Sequence, residues 1–573
     1  MNRYTTLLLI IISAIASCNK PEPVTVTQVA IKRVEGMPNQ PTPYKMLDWK
    51  EKAINFDRYV FNHNAKGEYL PLIWIDSAHR NIEQNTFGLF TVIGDLRQGS
   101  GINNGEFHEA LASLGAIMGA GLVGIDKTNQ DGYNYVKMVQ NYFNSDNGWN
   151  IIMNNTNPGI AMLGGGYGRD WWYDVFPNVL YYAVCELFPE VDGADQIQRT
   201  IAEQFYKADS VLAGNYDYSY FDYAVMEGKR NQIPYQQDAA AGHAYVLYAA
   251  YKKFGDEKYL NGAKSALEAL LSQKESRFYE VLMPFGALTA ARMNAEQGTS
   301  YDVMKILDWT YDGCVAEDGR TGWGILSERW GEYDIHGMQG SLTHEGGYGF
   351  LMNTFDMAWP LVPLVKYDPQ LAKTIGKWTL NTANATRLCY PYEIPDENQW
   401  LPELKKITKN VIAYEGVKKT DAYNKESLKG VSPVALGDGP NWVVSQPEQS
   451  MFSIYGSAHV GIFGAIIEET NVEQILKLNC QATDFYAEHN YPMFLYYNPY
   501  PGNKEIIYHN KKDESIDLFD VLTGTTVSEN IETEGKFTIS GDEARLIIVI
   551  PAGSTVEYRE GEAVINGKTA FYL

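Results

Sequence analysis

The strongest constraint on this fold is a series of apolar residues at three-and-four spacing that runs from Met46 to Ile467. This spacing places apolar side chains on one face of a helix, so each run predicts one helix of a mainly α fold. Almost no alternating strand pattern interrupts the series before residue 486. The predicted helices are 46–61, 107–122, 135–143, 171–188, 197–212, 239–254, 259–271, 279–293, 303–312, 348–365, 371–385 and 451–467.

The connections between these helices alternate in length. Some are tight, as at Gly255-Asp256-Glu257, whereas others are long and rich in glycine and aromatic residues. Helical hairpins arranged in a ring produce this alternation, because the long connections then converge at one rim. We therefore predict an (α/α)6-type helical toroid over residues 46–485, with a substrate cleft at the rim of long connections. The long connections are 64–85, 145–169, 214–237, 313–347 and 390–449.

The composition changes near residue 486. Short β-branched or aromatic segments follow, separated by Gly, Asn and Asp, and they predict a small β-sandwich over residues 486–573. We expect no catalytic role for it. The predicted strands are 493–497, 505–508, 515–519, 536–539, 544–550 and 554–558.

The amino terminus predicts export. Arg3 precedes a short apolar run and a stretch of small residues, which is the pattern of a signal peptide at 1–17. The sequence Ile15-Ala16-Ser17-Cys18 resembles a bacterial lipobox, and an ordinary secretory signal is the alternative. The resemblance implies a lipid anchor on Cys18 at the bacterial outer membrane, on its periplasmic or cell-surface side. Residues 18–45, which are rich in proline, then predict an extended tether.

Charge and cysteine content argue against several classes of partner and cofactor. The 47 basic and 70 acidic residues give a net charge of −23, which argues against a nucleic-acid partner. Cys185, Cys314, Cys389 and Cys480 show no paired spacing, so we predict four buried hydrophobic side chains, no metal site and no cofactor. The aromatic share of 13% suits the binding of hydroxyl-rich rings.

Carboxylates, aromatic residues, Arg and His are interleaved in the long connections, as glycosidic bond cleavage requires. We predict Glu345 as proton donor, Asp170 as base or nucleophile, and His344 as acid, base or hydroxyl ligand. A helix cap is the alternative for Asp170, and a structural role is the alternative for His344. The predicted substrate-binding residues are Arg169, Trp171, Asp174, Glu227, Arg230, Glu328, Arg329, Trp330, His243 and Trp442.

Three further residue groups have simpler interpretations. Burial in the ring wall is the alternative for His243, because it lies inside a predicted helix. Asp238 is predicted to cap that helix. The lysines between residues 405 and 429, Lys418 included, predict a solvated insertion.

The lipobox, the ring of helical hairpins, the acidic and Trp-rich connections and the closing β-sandwich together resemble the (α/α)-toroid carbohydrate-active lipoproteins of gut Bacteroidetes. The resemblance implies a glycoside hydrolase or a polysaccharide lyase whose partner is an oligo- or polysaccharide. The basic residues Arg80, Arg169, Lys229, Arg230 and Arg329 favour release of uronic acid, as by a β-glucuronidase.

Two alternatives to hydrolysis stay open at this point. A lyase acting on a uronic-acid polymer would take its base from a Tyr or His, for example within residues 216–223. A non-catalytic surface protein would bind glycan without forming product.

Overall fold

The computed structural model describes residues 25–90, 93, 109–156, 170–314, 322–342, 347–437 and 451–573. Helices stand where the apolar spacing predicts them, and the strand-rich part follows. The helices used below are α1 Trp49–Val60, α2 Ala110–Leu122, α3 Trp171–Leu187, α4 Ala194–Leu212, α5 Ala239–Phe254, α6 Glu257–Ser272, α7 Met283–Gln297, α8 Val303–Asp312, α9 Leu351–Leu364, α10 Ala372–Thr386, α11 Ile454–Ala458 and α12 Gly461–Ile466. Single helical turns at Lys32–Glu35, Tyr135–Met138 and Lys405–Thr408 complete the set.

Alternate helices pack in a cyclic order. Helix α2 contacts α3, α3 contacts α5, α5 contacts α7, α7 contacts α9, and α9 contacts α11 and α12, which contact α2 again. These ring helices are almost entirely buried; every residue of α9, for example, is buried. Helices with no solvent-exposed face are expected at the centre of a large fold.

The remaining helices pack outside this cycle. Helix α1 contacts α12 and α2, α4 and α6 contact α5, α8 contacts α7, and α10 contacts α9. Several of these helices are amphipathic, as α4 shows with buried Ile201 and Phe205 on one side and exposed residues on the other. From α3 to α10, helices of the cycle therefore alternate along the chain with helices outside it.

The cycle closes where α12 meets α2. A Cβ atom at Gly461 would lie 2.2 Å from the carbonyl oxygen of Gly119, so the two backbones are in direct contact. Beside this contact, His459 Nδ1 lies 2.6 Å from Asp356 Oδ1 of α9, and its Nε2 donates to the carbonyl of Leu111 in α2 at 3.0 Å. One buried histidine thus joins the last ring helices to two others.

We expect Gly461→Ala to lower the free energy of unfolding by about 1–3 kcal/mol, because the added methyl group must push two backbones apart. Chemical denaturation measures the change. Gly502→Ala is the matched control, since a Cβ there meets nothing within 4 Å. Equal stability of both variants would show that α2 and α12 are not packed this closely.

The strands are short in the first part of the chain and longer after residue 490. They are β1 Ile73–Asp76, β2 Thr86–Leu89, β3 Phe143–Asn144, β4 Ile151–Ile152, β5 Tyr220–Asp222, β6 Glu227–Lys229, β7 Trp323–Ile325, β8 Arg329–Trp330, β9 Tyr333–Asp334, β10 Gln339–Ser341, β11 Tyr348–Phe350, β12 Ala413–Tyr414, β13 Gly416–Lys418, β14 Val434–Leu436, β15 Phe452–Ser453, β16 Ile467–Glu469, β17 Leu476–Asn479, β18 Met493–Tyr497, β19 Lys504–His509, β20 Ile516–Asp520, β21 Thr525–Ile531, β22 Glu534–Ile539, β23 Ala544–Pro551, β24 Val556–Arg559, β25 Glu562–Ile565 and β26 Lys568–Tyr572.

A five-stranded sheet lies within the long connections, where the sequence predicted almost no strands. Its order is β14-β13-β11-β10-β7, and it pairs Tyr348 with Lys418 across 70 residues of chain. Residues 348–350, predicted as the first turn of a helix, form β11 instead. Lys418, predicted to be solvated, is 3% exposed because its strand is central in this sheet.

The C-terminal region is strand-rich, as predicted. A six-stranded sheet of order β16-β17-β18-β23-β20-β21 includes two strands before residue 486, so the strands of this region start at Ile467. One face of the sheet packs on α10, where Tyr497 Cβ lies close to Gly376. The other face is covered by the two-stranded β19–β22 sheet, and Tyr496 meets Phe537 there with ring centroids 5.2 Å apart.

Candidate active site

The starts of the ring helices lie side by side. The amide oxygen of Gln236, just before α5, accepts from the backbone N–H of Trp172 in the first turn of α3 at 2.9 Å. The carboxylate of Asp238 accepts from the N–H of Tyr279, just before α7, at 2.8 Å. The starts of α3, α5 and α7 are therefore neighbours, together with the residues that precede them.

Acidic residues stand at these helix starts. We call Glu109, Asp170, Asp238, Glu280 and Glu415 the acidic rim. The first four precede α2, α3, α5 and α7, and the carbonyl of Glu415 accepts from the N–H of Leu351 at the start of α9 at 2.8 Å. The rim thus brings together carboxyl groups from five separate parts of the chain.

Asp170 occupies the position before α3 but does not cap that helix with its side chain. Its Oδ1 accepts instead from Gln236 Nε2 at 3.0 Å, and the residue is half-buried. Because the amide oxygen of Gln236 accepts from the backbone N–H of Trp172, a single buried amide fixes both the carboxylate and the helix start. The alternative of a simple side-chain cap is therefore wrong for Asp170.

Glu280 is a rim residue that the sequence analysis missed. Its φ angle is 59°, in the left-handed region that non-glycine residues rarely adopt. Its Oε2 accepts from Asn353 Nδ2 at 2.6 Å, and its carbonyl accepts from Gln339 Nε2 at 2.7 Å. Both amides are fully buried, whereas Glu280 is half-buried.

Asp238 supports Glu280 from the other side. It is fully buried, and burial raises the pKa of its carboxyl well above the usual value, which favours the neutral form. Its contact with the N–H of Tyr279 fixes the peptide next to Glu280. Strained backbone persists only where the surroundings over-determine it, and it is common at active sites.

Glu415 and Glu280 are held at different strands of the five-stranded sheet. Glu415 directly precedes β13, whereas Glu280 is bonded by Gln339 of β10. Its Oε1 accepts from the hydroxyl of Tyr348 at 3.0 Å, and the residue is fully buried. Lys418 Nζ lies 4.9 Å from the centroid of the Tyr348 ring. Two strand spacings separate β10, where Gln339 holds Glu280, from β13, which Glu415 precedes, or about 10 Å.

Aromatic side chains accompany the rim. Trp172 and Tyr173 have ring centroids 3.9 Å apart in the first turn of α3, next to Asp170. Tyr279 meets Trp323 at 5.8 Å, and Trp323 meets Phe350 at 6.3 Å. Trp172, Tyr173, Tyr279 and Phe350 are buried and support the rim, whereas Trp323 is half-buried and has a face that a sugar ring could contact.

Three of the predicted sugar contacts are core residues, and those predictions are wrong. Trp171 is fully buried and stacks on Tyr216 at 5.4 Å, and Trp330 is 1% exposed. His243 is fully buried, with Nε2 2.8 Å from the hydroxyl of Tyr223. Its alternative interpretation, burial in the ring wall, is the correct one.

Three other predicted residues, Glu227, Arg230 and Arg329, are exposed and engaged elsewhere. Glu227 and Lys229 form an ion pair on the β5–β6 hairpin, and Arg230 lies 4.6 Å from the ring of Tyr235. Arg329 pairs with Asp334 at 3.1 Å. No contact among the described residues joins these side chains to the acidic rim.

Glu328 is likewise exposed, and it accepts from Trp330 Nε1 at 2.9 Å and Lys419 Nζ at 3.0 Å. Burial alone would raise the pKa of its carboxyl, but these two donors outweigh it and lower the pKa. The group is therefore a surface carboxylate.

The other predicted site residues divide into two sets. Asp174 is 3% exposed and lies one helical turn after Asp170 in α3. Arg169, His344, Glu345 and Trp442 lie outside the described residues. The roles predicted for them stay predictions.

Glu415 carries a signal that sequence reasoning could have used. It ends an apolar run, and like Glu345 it is followed by a glycine. Glu280 carries no such signal, because it lies two residues after Phe278 in a pattern that predicts a helix from residue 279.

His243 makes stability depend on pH. Burial lowers its pKa to about 3 from the ordinary 6.5, so protonation favours the unfolded chain. Its stabilising contribution is complete above about pH 6.5 and is lost progressively as the pH falls toward 3.

We expect His243→Phe to reduce the loss of unfolding free energy between pH 7 and pH 4.5, as measured by chemical denaturation. Phenylalanine fills a similar volume and cannot titrate. An unchanged pH dependence in this variant would show that His243 is already charged in the folded chain.

Two further site types were considered. In the described parts of the chain, no group of three or more His, Cys, Asp or Glu residues is placed to hold a metal ion. Cys185, Cys314, Cys389 and Cys480 are buried, as predicted. Among the helices that the structure describes, none has the length and apolarity needed to cross a membrane.

No protein-family model matches the chain, and no curated protein is similar to it in sequence. Solved structures share a weak similarity. A GH127 β-L-arabinofuranosidase from Geobacillus stearothermophilus T6 is 11% identical, with a TM-score of 0.36 over 91% of this chain and 84% of that one. A second GH127 β-arabinofuranosidase is also 11% identical, with a TM-score of 0.36 over 94% of this chain and 85% of that one.

An α-L-rhamnosidase from Dictyoglumus thermophilum is 8% identical, with a TM-score of 0.29 over 78% of this chain and 46% of that one. Similarity at this level does not define a family, and it carries no argument about function.

Proposed function

We propose that the chain is a glycoside hydrolase, that its cyclic helices form an (α/α)6 toroid, and that the acidic rim is its active site. The observation that carries the proposal is the placement of Asp170 and Glu280. Each stands at the start of a ring helix, each is half-buried, and each carboxylate is held by a buried amide. The two sites are joined through Gln236, Asp238 and Tyr279.

Hydrolysis of a glycosidic bond needs one carboxyl group that donates a proton and one that acts as base or nucleophile. We assign the proton to Glu280, which is held by the buried amides of Asn353 and Gln339. We assign the base or nucleophile to Asp170. Glu345 and His344 stay predicted alternatives for the proton donor. Glu415, which directly precedes β13 of the five-stranded sheet, is a third carboxyl group of the rim.

A more specific proposal is that the sugar released by hydrolysis is a uronic acid. Lys229, Arg230 and Arg329 no longer support it, because each is engaged away from the rim. Arg80 still supports it, since its Nε is buried with no hydrogen-bond partner among the described residues. Arg169 remains a predicted contributor.

Two of the tyrosines expected as lyase bases, Tyr216 and Tyr223, are buried, whereas Tyr218 and Tyr220 are half-buried. The hydroxyl of Tyr216 donates to Asp209 at 2.9 Å in the core, and burial raises its pKa well above the usual value. Tyr223 is fully buried against His243. A tyrosine that abstracts a proton must meet substrate, which neither of these side chains can do.

The location is also a proposal. We propose that a lipid on Cys18 anchors the chain at the bacterial outer membrane and that the glycan is its only partner there. Labelling with a radioactive fatty acid tests the anchor, because a Cys18→Ser variant should incorporate none.

The test of function is incubation with a panel of soluble plant, algal and host glycans, followed by product chromatography and ultraviolet absorbance. Release of saturated sugars supports hydrolysis. Products with an ultraviolet-absorbing double bond would instead favour a lyase, and binding without product would favour a glycan-binding protein. An Asp170→Asn variant that keeps full activity would end the assignment of Asp170.

A further inference from the structure

A groove lies beside α1, outside the cycle of helices, and none of the acidic-rim residues lines it. It is formed by the end of α1, the residues that follow α1, and the connection after α2, and its volume is about 730 Å³. Sites for small molecules commonly have volumes of several hundred Å³. The groove is therefore large enough for one or two sugar rings.

The floor of the groove is a rigid polar network. Lys127 Nζ donates to Asp57 Oδ1 at 2.7 Å and to the amide oxygen of Gln130, and Gln130 Nε2 donates to Asp57 Oδ2 at 2.7 Å. Lys127 is fully buried and lies 3.0 Å from the centroid of the Phe61 ring. Opposite charges are thus balanced within the floor, and no net charge faces the groove from it.

Aromatic rings form one wall. Tyr133 and His63 have ring centroids 4.9 Å apart at 30°, and His63 is nearly parallel to Tyr135 at 8°. His63 Nε2 bonds the hydroxyl of Tyr135 at 2.8 Å, and burial lowers the pKa of His63, so the imidazole is neutral at physiological pH. Tyr133 and His63 are both half-buried, which leaves part of each ring accessible.

Hydrogen-bonding groups surround these rings. Asn62, Asn64, Arg58 and Asp131 line the groove and are exposed. Asp131 and Gly132 form a tight turn with φ angles of 53° and 84°, which fixes the Asp131 backbone beside the aromatic wall. Amides and charged groups of both signs around flat rings suit hydroxyl groups rather than a phosphate or another polyanion.

We propose that this groove is a second glycan-binding site that holds a neutral stretch of polysaccharide beside α1. The proposal rests on the proposed function for its ligand class and extends it to a surface that the catalytic residues do not touch. The rings supply faces for sugar stacking, and the exposed amides bind hydroxyl groups.

Affinity electrophoresis in native gels tests the site, with arabinoxylan, pectin, laminarin or mucin in the gel. The protein carries Asp170→Asn and Glu280→Gln, so that cleavage does not remove the ligand. We expect at least one polysaccharide to retard it, and we expect Tyr133→Ala or Asn62→Ala to weaken the apparent affinity at least fivefold. Asn129→Ala is the matched control, because Asn129 is exposed nearby and does not line the groove.

Equal retardation of the groove variants and the control would overturn the proposal, and so would the absence of retardation by every polysaccharide. Tyr133→Ala alone could perturb the aromatic wall, which is why the exposed Asn62 provides the second variant. In the otherwise unmodified chain, the groove variants should still cleave short oligosaccharides at the normal rate. If the rim variants cleave normally while the groove variants bind weakly, the catalytic assignment fails and the groove stands.

Discussion

Replacement of Glu280 by Gln is expected to lower the turnover number for glycan hydrolysis by roughly 10²–10⁴-fold, the usual contribution of a positioned general acid. Glutamine preserves the shape of the side chain, and its amide oxygen still accepts from Asn353 Nδ2. The left-handed backbone at residue 280 is likewise kept, because Asp238 and Gln339 hold it through neighbouring backbone atoms. The fold is therefore retained while the transferable proton is lost.

Steady-state kinetics on the glycan identified by the panel measures this change, and circular dichroism checks the fold. Glu227→Gln is the matched control, because Glu227 is an exposed glutamate paired only with Lys229 on the β5–β6 hairpin. We expect this control to keep normal activity. Full activity of Glu280→Gln would remove Glu280 from the mechanism and leave Asp170 to pair with Glu415 or with the predicted Glu345.

The fold can be predicted from the sequence wherever local periodicity decides the structure. The predicted helices 239–254 and 303–312 coincide with α5 and α8, and the predicted strand 493–497 coincides with β18. In each case the apolar residues that form the element are close together in the sequence, so the signal is local, whether the element has one buried side, as α8 does, or is buried throughout, as β18 is.

The five-stranded sheet shows why the rest could not be predicted. Its strands are three residues long, and the pairing of Tyr348 with Lys418 depends on residues far apart in sequence. No period can be read from three residues. The lysines near residue 418 were consequently interpreted as a solvated insertion, although Lys418 lies inside a sheet.

Glu280 was missed for a different physical reason. The apolar pattern continues through residue 279, but three tertiary contacts impose a left-handed turn there and delay α7 until Met283. The site residues that depend on tertiary contact cannot be recognised from spacing alone. Asp170 could be recognised because its helix start and its connection length are both local features.

The largest effect on stability is expected from Asp484→Ala. Asp484 is fully buried between the helical ring and the strand-rich C-terminal region, where its Oδ2 accepts from Lys366 Nζ at 2.9 Å and from the hydroxyl of Tyr367 at 2.8 Å. Arg292 of α7 lies 3.9 Å away. Burial alone would raise the pKa of Asp484, but the charges of Lys366 and Arg292 outweigh it and lower the pKa.

Removal of this carboxylate leaves Lys366 buried without its charge partner. Breaking a buried ion pair in this way costs about 3–5 kcal/mol of unfolding free energy. Because the pKa of Asp484 is lowered, its stabilising contribution is present above its ordinary value of 3.8 and is lost as the pH falls through the lower folded value. Chemical denaturation at neutral pH measures the full effect.

Glu468→Gln is the control for this measurement, since Glu468 pairs with Lys477 at 3.0 Å on the surface and should contribute within about 0.5 kcal/mol. If Asp484→Ala does not fold, Asp484→Asn provides a milder variant. Adding Lys366→Met to Asp484→Asn should then recover part of the lost stability, because no unpaired ammonium group remains buried at residue 366. Additive losses in the double variant would show that Asp484 and Lys366 do not act as a pair, and the ring and the C-terminal sheet would have to be joined mainly by apolar packing.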